Sequence, residues 1–346
     1  MLGPGLRIAV VGVASVAAAI VVANGRTDGL PVLGIDVGPV GVASSSGPAR
    51  YVTLPAKGHT IVARVRRSGG QILTSLVLPG SFTIPAVAYD GSASGLSADG
   101  RVLVLIEPRA QFPRVRTTLA ILDAPRLRVR TVLRLRGDFS FDAISPKGGL
   151  LYLIQYVSPR DPTRYAVRAY DVRHGRLLTE PVVDPHERGE KMRGNPLSRA
   201  VSPDGRWAYT LYDGAGGTPF VHALDTSGQT ARCIDLDALA GNAYLARLRL
   251  HLDGNALTIR DRNGTELVVN TKTFLVRAPA TAAAGPAGHD SGNGWSLTGW
   301  AVLGTFVVSG SLLLARRRRR RPAFGRRAPV PAALVALPAH GATAPG

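Results

Sequence analysis

A four-residue turn followed by a strand recurs along this chain and limits what it can fold into. The clearest copy is Ser202-Pro203-Asp204-Gly205, followed by an alternating run over residues 206–212 that is rich in aromatic and β-favouring side chains. Pro presets φ at the second turn position, Asp bonds its own backbone, and Gly closes the turn. After a loop come residues 220–224, the turn Asp225-Thr226-Ser227-Gly228 and residues 230–234. Relatives of the first turn stand at Ser97-Ala98-Asp99-Gly100, Ser145-Pro146-Lys147-Gly148 and His251-Leu252-Asp253-Gly254. Strand-like runs follow at 101–106, 150–156 and 256–259, and the turn-to-turn steps are 48, 57 and 49 residues. A fifth copy with a degraded turn precedes residues 49–54.

The second half of the unit repeats as well. Runs 60–65 and 72–78 flank Ser68-Gly69-Gly70, and runs 119–122 and 127–135 flank Asp123-Ala124-Pro125. Runs 166–170 and 176–182 form a third pair, and 266–269 with 274–276 a fourth. A further strand precedes some turns, at 139–144 and 244–250. Four short antiparallel strands per unit, with no helical periodicity between them, predict an all-β chain. The expected fold is a β-propeller of about five four-stranded blades, with six possible. A β-sandwich with coincidental turns is the competing architecture.

These residues resemble the Ser-Pro-Asp-Gly blades of bacterial YVTN-type and TolB-like β-propellers, over residues 32–278, with a strand near 32–42 serving the first blade. The chain departs from that pattern where the first turn is missing and where His251-Leu252 replaces Ser-Pro. Some propellers of this kind are lactonases or other hydrolases, which gather acidic, Asn and His side chains at the central tunnel, usually around a metal. Here the innermost strands offer Asp90, Asp142, Arg199, Arg247 and Arg249. Carboxylates mixed with guanidiniums predict ion pairing rather than a metal cage.

The two ends carry the expected location. Residues 8–23 are an uncharged apolar run behind Arg7, and residues 1–24 read as a signal peptide, with an uncleaved anchor as the alternative. Residues 291–315 hold no charge, and 295–315 read as a C-terminal transmembrane helix, about 32 Å long at a helical rise. Trp295 and Trp300 suit the outer interface, and Arg316, Arg317, Arg318, Arg319, Arg320 and Arg321 form a stop-transfer signal on the cytoplasmic side. Residues 30–278 are then the ectodomain, 279–294 an Ala/Gly/Pro-rich linker, and 316–346 a basic, then Pro/Ala-rich cytoplasmic tail.

The net charge of +19 suggests an anionic partner, but eight of the positive charges sit in that tail. The rest is scattered Arg with only four Lys, the usage of a high-GC bacterium, so nucleic acid is not an expected partner. Cys233 is the only cysteine, which excludes an intramolecular disulfide. The seven His are dispersed, and no zinc spacing, nucleophile elbow or P-loop occurs. Asp184, His186 and Glu187 lie together in an insertion, residues 184–191, that lengthens one repeat and is expected to protrude from one face.

The sequence therefore predicts a single-pass membrane protein whose extracytoplasmic propeller is a binding or scaffolding module at the cell envelope. Expected partners are the lipid bilayer, through the C-terminal helix, and an envelope protein or polymer. No enzymatic activity, catalytic residue, metal or cofactor is expected. Two alternatives stay open: a lactonase-like hydrolase with a tunnel-mouth site, and electrostatic adhesion to anionic wall polymers.

Overall fold

A computed structural model describes residues 37–43, 47–68, 70–187 and 192–279. They form five antiparallel sheets in chain order, each a simple meander. The first holds β1 (Ala49–Ala56), β2 (His59–Arg66) and β3 (Ile72–Pro79); the second holds β4 (Val102–Ile106), β5 (Arg116–Asp123) and β6 (Arg128–Arg136). The third runs β7 (Phe139–Ile144), β8 (Leu150–Tyr156), β9 (Tyr165–Asp171) and β10 (Arg176–Val182). The fourth runs β11 (Pro196–Val201), β12 (Trp207–Tyr212), β13 (Phe220–Asp225) and β14 (Thr230–Asp235). The fifth runs β15 (Arg249–Asp253), β16 (Ala256–Arg260), β17 (Thr265–Asn270) and β18 (Val276–Arg277). Consecutive meanders of three or four strands are consistent with propeller blades.

The repeated turn works through its serine. Ser202 Oγ donates to Asp204 Oδ1 at 2.6 Å and accepts Trp207 N–H at 2.8 Å, while Gly205 N–H closes on Ser202 O at 2.8 Å. Ser97 and Asp99 repeat this geometry, with Ser97 Oγ accepting Val102 N–H. At the third sheet Lys147 replaces the Asp, so only the Ser145 bonds remain, to Leu150 N–H and from Gly148 N–H. Gly205 and Gly148 sit at φ near 72° and 73°, which a side chain disfavours. A Cβ on Gly148 would also meet the Val102 side chain at 2.3 Å, and one on Gly205 would meet Ala98 Cβ at 2.6 Å. These turns therefore nest against the second sheet, and only Gly fits them.

The second turn of the last four units uses an acid or amide for the same purpose. Asp123, Asp171, Asp225 and Asn270 each accept a backbone N–H three residues ahead. Crossovers between early sheets have their own repeat. Thr60 Oγ1 donates to Gly80 O and accepts Phe82 N–H; Thr117 Oγ1 does the same with Gly137 O and Phe139 N–H.

Sheets pack face to face through apolar seams. Leu103, Leu105, Ala120 and Leu122 of the second sheet join Tyr51 and Val62 of the first. Val104, Ile106, Leu119 and Ile121 point the other way, onto Phe139, Phe141, Leu151 and Leu153 of the third. The strict alternation along β4 and β5 thus serves two neighbours at once. Ala143, Tyr152 and Val167 meet Ala208, Tyr212 and Leu224 between the third and fourth sheets, and Tyr209, Leu211 and Val221 meet Leu250, Leu257 and Ile259 between the fourth and fifth. Each fully buried Leu in these seams stabilises the fold by about 2–3 kcal/mol relative to exposure.

Three expectations need correction. The first two sheets have three regular strands, not four. In the first, the inner strand is reduced to the Val42–Tyr51 bridge; residues 32–36 of the expected strand lie outside the described residues. In the second, the inner segment pairs at Thr83–Ile106 and Leu96–Leu103, with a bridge at Ala86–Ala93 closing an excursion between them. Residues 244–250 are not one strand. Asn242 Oδ1 accepts Tyr244 N–H at 2.7 Å, starting a short 3-10 turn at Leu245–Arg247, and β15 begins only at Arg249.

Candidate functional site

Concave places in the described residues include a funnel and a cleft. The funnel holds about 260 Å³ and lies where the inner segments of the first four sheets meet. Its wall is mainly small: Ala43, Ala93, Ser94, Ala98, Ala143, Gly205 and Ala208, with Arg199 its one charged residue. Arg199, on β11, pairs with Asp142, on β7, and both are buried. Asp142 Oδ2 and Arg199 Nε are left without a hydrogen-bond partner. The pair is therefore only half satisfied, a condition that makes removal of either partner costly.

The excursion closed by Ala86–Ala93 crosses from the second sheet to the fourth. Tyr89 N–H donates to Pro196 O at 2.9 Å, Asp90 N–H donates to Leu197 O at 3.1 Å, and Tyr89 OH donates to Asn195 Oδ1 at 3.2 Å. Second-sheet backbone is thus tied to the inner strand of the fourth. Burial pushes the Tyr89 hydroxyl above its ordinary value, so it stays a donor. Beside this loop, Ser140, Asp142, Tyr156, Tyr165 and Tyr212 enclose a cavity of about 20 Å³, the size of one water molecule.

The second place is a cleft of about 500 Å³ between the outer parts of the third and fourth sheets. Tyr165, Val167 and Val182 form one wall, Phe220 the other, and Met192 part of the rim. His222 on β13 and Cys233 on β14 are directly paired across the sheet, and both line the cleft. His222 is 1% exposed, and its Nε2 has no hydrogen-bond partner. Burial pushes its pKa down to about 4, with the Arg199 cation adding to that and Asp142 and Asp184 opposing it. It is a neutral imidazole near pH 7.

Asp184 closes one end. It is buried, and its carboxylate accepts Cys233 N–H at 3.0 Å and His186 N–H at 2.8 Å. Burial opposes its ionisation, but those donors and Arg232, 3.7 Å away, outweigh it and hold its pKa below the usual carboxylate range. Glu187 and Asp235 line the cleft beside it, against a single Arg193, so the lining is acidic on a strongly basic chain.

The residues expected at the inner strands separate by role. Asp142 and Arg199 form an ion pair. Asp90 Oδ1 accepts Ser92 N–H and shapes the excursion. Arg247 stacks over Tyr244 at 4.4 Å, and Arg249 donates to the carbonyls of Ala246 and Leu248, so neither meets Asp142. Among the described residues, no three His, Cys, Asp or Glu stand close enough to hold a metal ion, and no helix is long and apolar enough to cross a membrane. The anchor residues Trp295, Trp300 and Arg316 to Arg321 lie outside the described residues, as do the signal peptide and residues 188–191 of the insertion.

A third cluster had no forecast. Arg109, 1% exposed, donates from Nε to both oxygens of Asp138 at 3.1 and 3.2 Å and lies 4.7 Å over the Tyr156 ring. Arg114 N–H also donates to Asp138, and burial with Arg109 nearby pulls the Arg114 guanidinium down to about 10. This cluster fastens the 107–115 loop to the start of the third sheet.

No known family profile matches the chain, and no curated protein does. Among solved structures, one neighbour is a protein of unknown function from Desulfotomaculum acetoxidans, at 12% identity and TM-score 0.42, covering 68% of this chain and 67% of that one. TolB from Acinetobacter baumannii matches at 14% identity and TM-score 0.38, over 69% of this chain and 54% of its own. A putative 6-phosphogluconolactonase from Bacteroides uniformis matches at 15% identity and TM-score 0.38, over 68% of each chain.

Sequence reasoning expected the insertion from Asp184 to protrude; instead Asp184 is buried against the cleft, whose walls on β9 and β13 were not anticipated. The insertion that begins at Asp184 pointed to part of it, since Asp184 and Glu187 line the cleft; the signal left unread was His222, a polar residue inside the apolar run of β13, where every neighbour on the strand but Phe220 is buried.

Proposed function

We propose that this chain is a propeller of five blades, held at the outer face of a bacterial membrane by a C-terminal helix and acting there as a binding or scaffolding module. The observation that carries the binding reading is the funnel wall. A hydrolase of this architecture needs acidic, Asn or His side chains converging on the axis, and the funnel offers Arg199 among small residues, with Asp142 held in an ion pair. The location rests on the apolar runs at 8–23 and 295–315 and on the arginines that follow the second.

The test is capture from membrane extracts with residues 25–279 as bait, alongside assays of lactone and ester hydrolysis. A reproducible envelope partner and no turnover are expected. Turnover without a partner would favour the hydrolase.

One observation favours the adhesion alternative as a second reading. Arg116 and Arg136 stand directly opposite each other on β5 and β6, Arg134 is two residues on, and all three are exposed. Like charges facing across a sheet cost stability, so a face of this kind gains from a polyanion laid along it.

A further inference from the structure

The cleft between the third and fourth sheets is a built cavity with a polar group its own protein does not satisfy. We propose that it is a binding site for a small organic amine, with the apolar body against Tyr165, Val167 and Phe220 and the ammonium group between His222 Nε2 and the acids at the rim. This goes beyond the scaffolding reading, since it names a small-molecule ligand and needs no envelope partner.

Three features carry it. The cleft holds about 500 Å³, within the range of small-molecule sites, and it sets an apolar part (Tyr165, Val167, Val182, Phe220) beside a polar one (Asp184, Glu187, His222, Asp235), the two halves an amphipathic ligand needs. His222 Nε2 is buried without a partner, and a polar atom left so is stabilised by a ligand that bonds to it. In the Nδ1–H tautomer of the neutral ring, which binding of the amine requires, Nε2 accepts a hydrogen bond that an ammonium N–H supplies and a carboxylate does not. The third feature is charge. Among the described lining residues Asp184, Glu187 and Asp235 stand against Arg193, and with Arg232 3.7 Å from Asp184 the balance is still negative, although the whole chain is strongly positive.

Cys233 makes the test direct, because it lines the cleft and is the only cysteine in the chain. The full chain in detergent is alkylated with N-ethylmaleimide, and modification is followed by intact-mass spectrometry with 2-phenylethylamine or 3-phenylpropionate present. With a Kd near 1 mM, a tenfold excess over Kd slows labelling about tenfold for the amine and leaves it unchanged for the acid. Asp235→Asn, an exposed position, is expected to weaken the protection severalfold, and His222→Gln to abolish it. Ligand-observed saturation-transfer NMR on the same variants reads binding independently of thiol reactivity. Equal slowing by amine and acid, no slowing by either, or amine protection that both variants keep would each overturn the proposal. Failure of the capture experiment would leave it standing.

Discussion

Acidification isolates the energetic consequence of burying His222. In the unfolded chain its imidazole takes up a proton near pH 6.5; in the fold it resists until about pH 4. Over that window the unfolded state binds more protons, so falling pH favours it. The stability His222 contributes is complete above pH 6.5 and is lost progressively down to about pH 4. The gap corresponds to about 3 kcal/mol, and the slope approaches about 1.4 kcal/mol per pH unit where one full proton separates the states. Against a typical domain stability of about 5–15 kcal/mol this is a large share. Carboxylates held below their ordinary values, such as Asp184, Asp204 and Asp225, also cost stability in acid, so the wild type alone does not isolate the histidine. His222→Gln removes the titration and keeps the carboxylates. Urea unfolding of both proteins, stepped from pH 7.5 to pH 4.5, is expected to show stabilities that converge as the pH falls. Parallel profiles would refute the assignment of a buried neutral imidazole.

Three further outcomes follow from the geometry. Arg199→Ala strands the Asp142 carboxylate and should cost about 3–5 kcal/mol in denaturant unfolding, while pairing it with Asp142→Leu should recover much of that loss. Gly148→Ala should destabilise clearly more than Gly254→Ala; both take positive φ, but only the first Cβ meets a neighbour, and thermal unfolding ranks the two. Arg134→Glu with Arg136→Glu should flatten the salt dependence of sedimentation with wall teichoic acid, and an unchanged slope would remove the adhesion reading.

The repeat was legible because its chemistry is local. Ser97, Ser145 and Ser202 each bond a backbone N–H within five residues, so the sequence pattern and the hydrogen bonds are the same fact. Strands bounded by such turns fell where the alternation put them, with β7 (Phe139–Ile144), β8 (Leu150–Tyr156) and β10 (Arg176–Val182) matching to the residue. The inner segment of the second sheet was illegible for the opposite reason. Its excursion is fixed by bonds from Tyr89 and Asp90 to Asn195, Pro196 and Leu197, more than a hundred residues away, and no local preference announces them. The region 244–250 misled because its aromatic and aliphatic residues suit a strand, while the Asn242 side chain makes a competing turn. Ion pairing among the inner-strand residues was anticipated from residue types alone; which residues pair, Asp142 with Arg199, was not. The cleft was legible only at the insertion residues Asp184 and Glu187, since its walls come from two sheets and His222 sits within an apolar strand.

Tyr89 has a further consequence for how the molecule comes apart. Its ring packs against both the seam of the first and second sheets and the seam of the fourth and fifth. Stacked repeats that touch only their neighbours can fray from either terminus, one module at a time. A brace joining distant modules forbids that sequence: opening one seam strains the ring lodged in the other. The five sheets should melt in a single concerted step, with the amide protons of Tyr89 and Asp90 among the last to exchange.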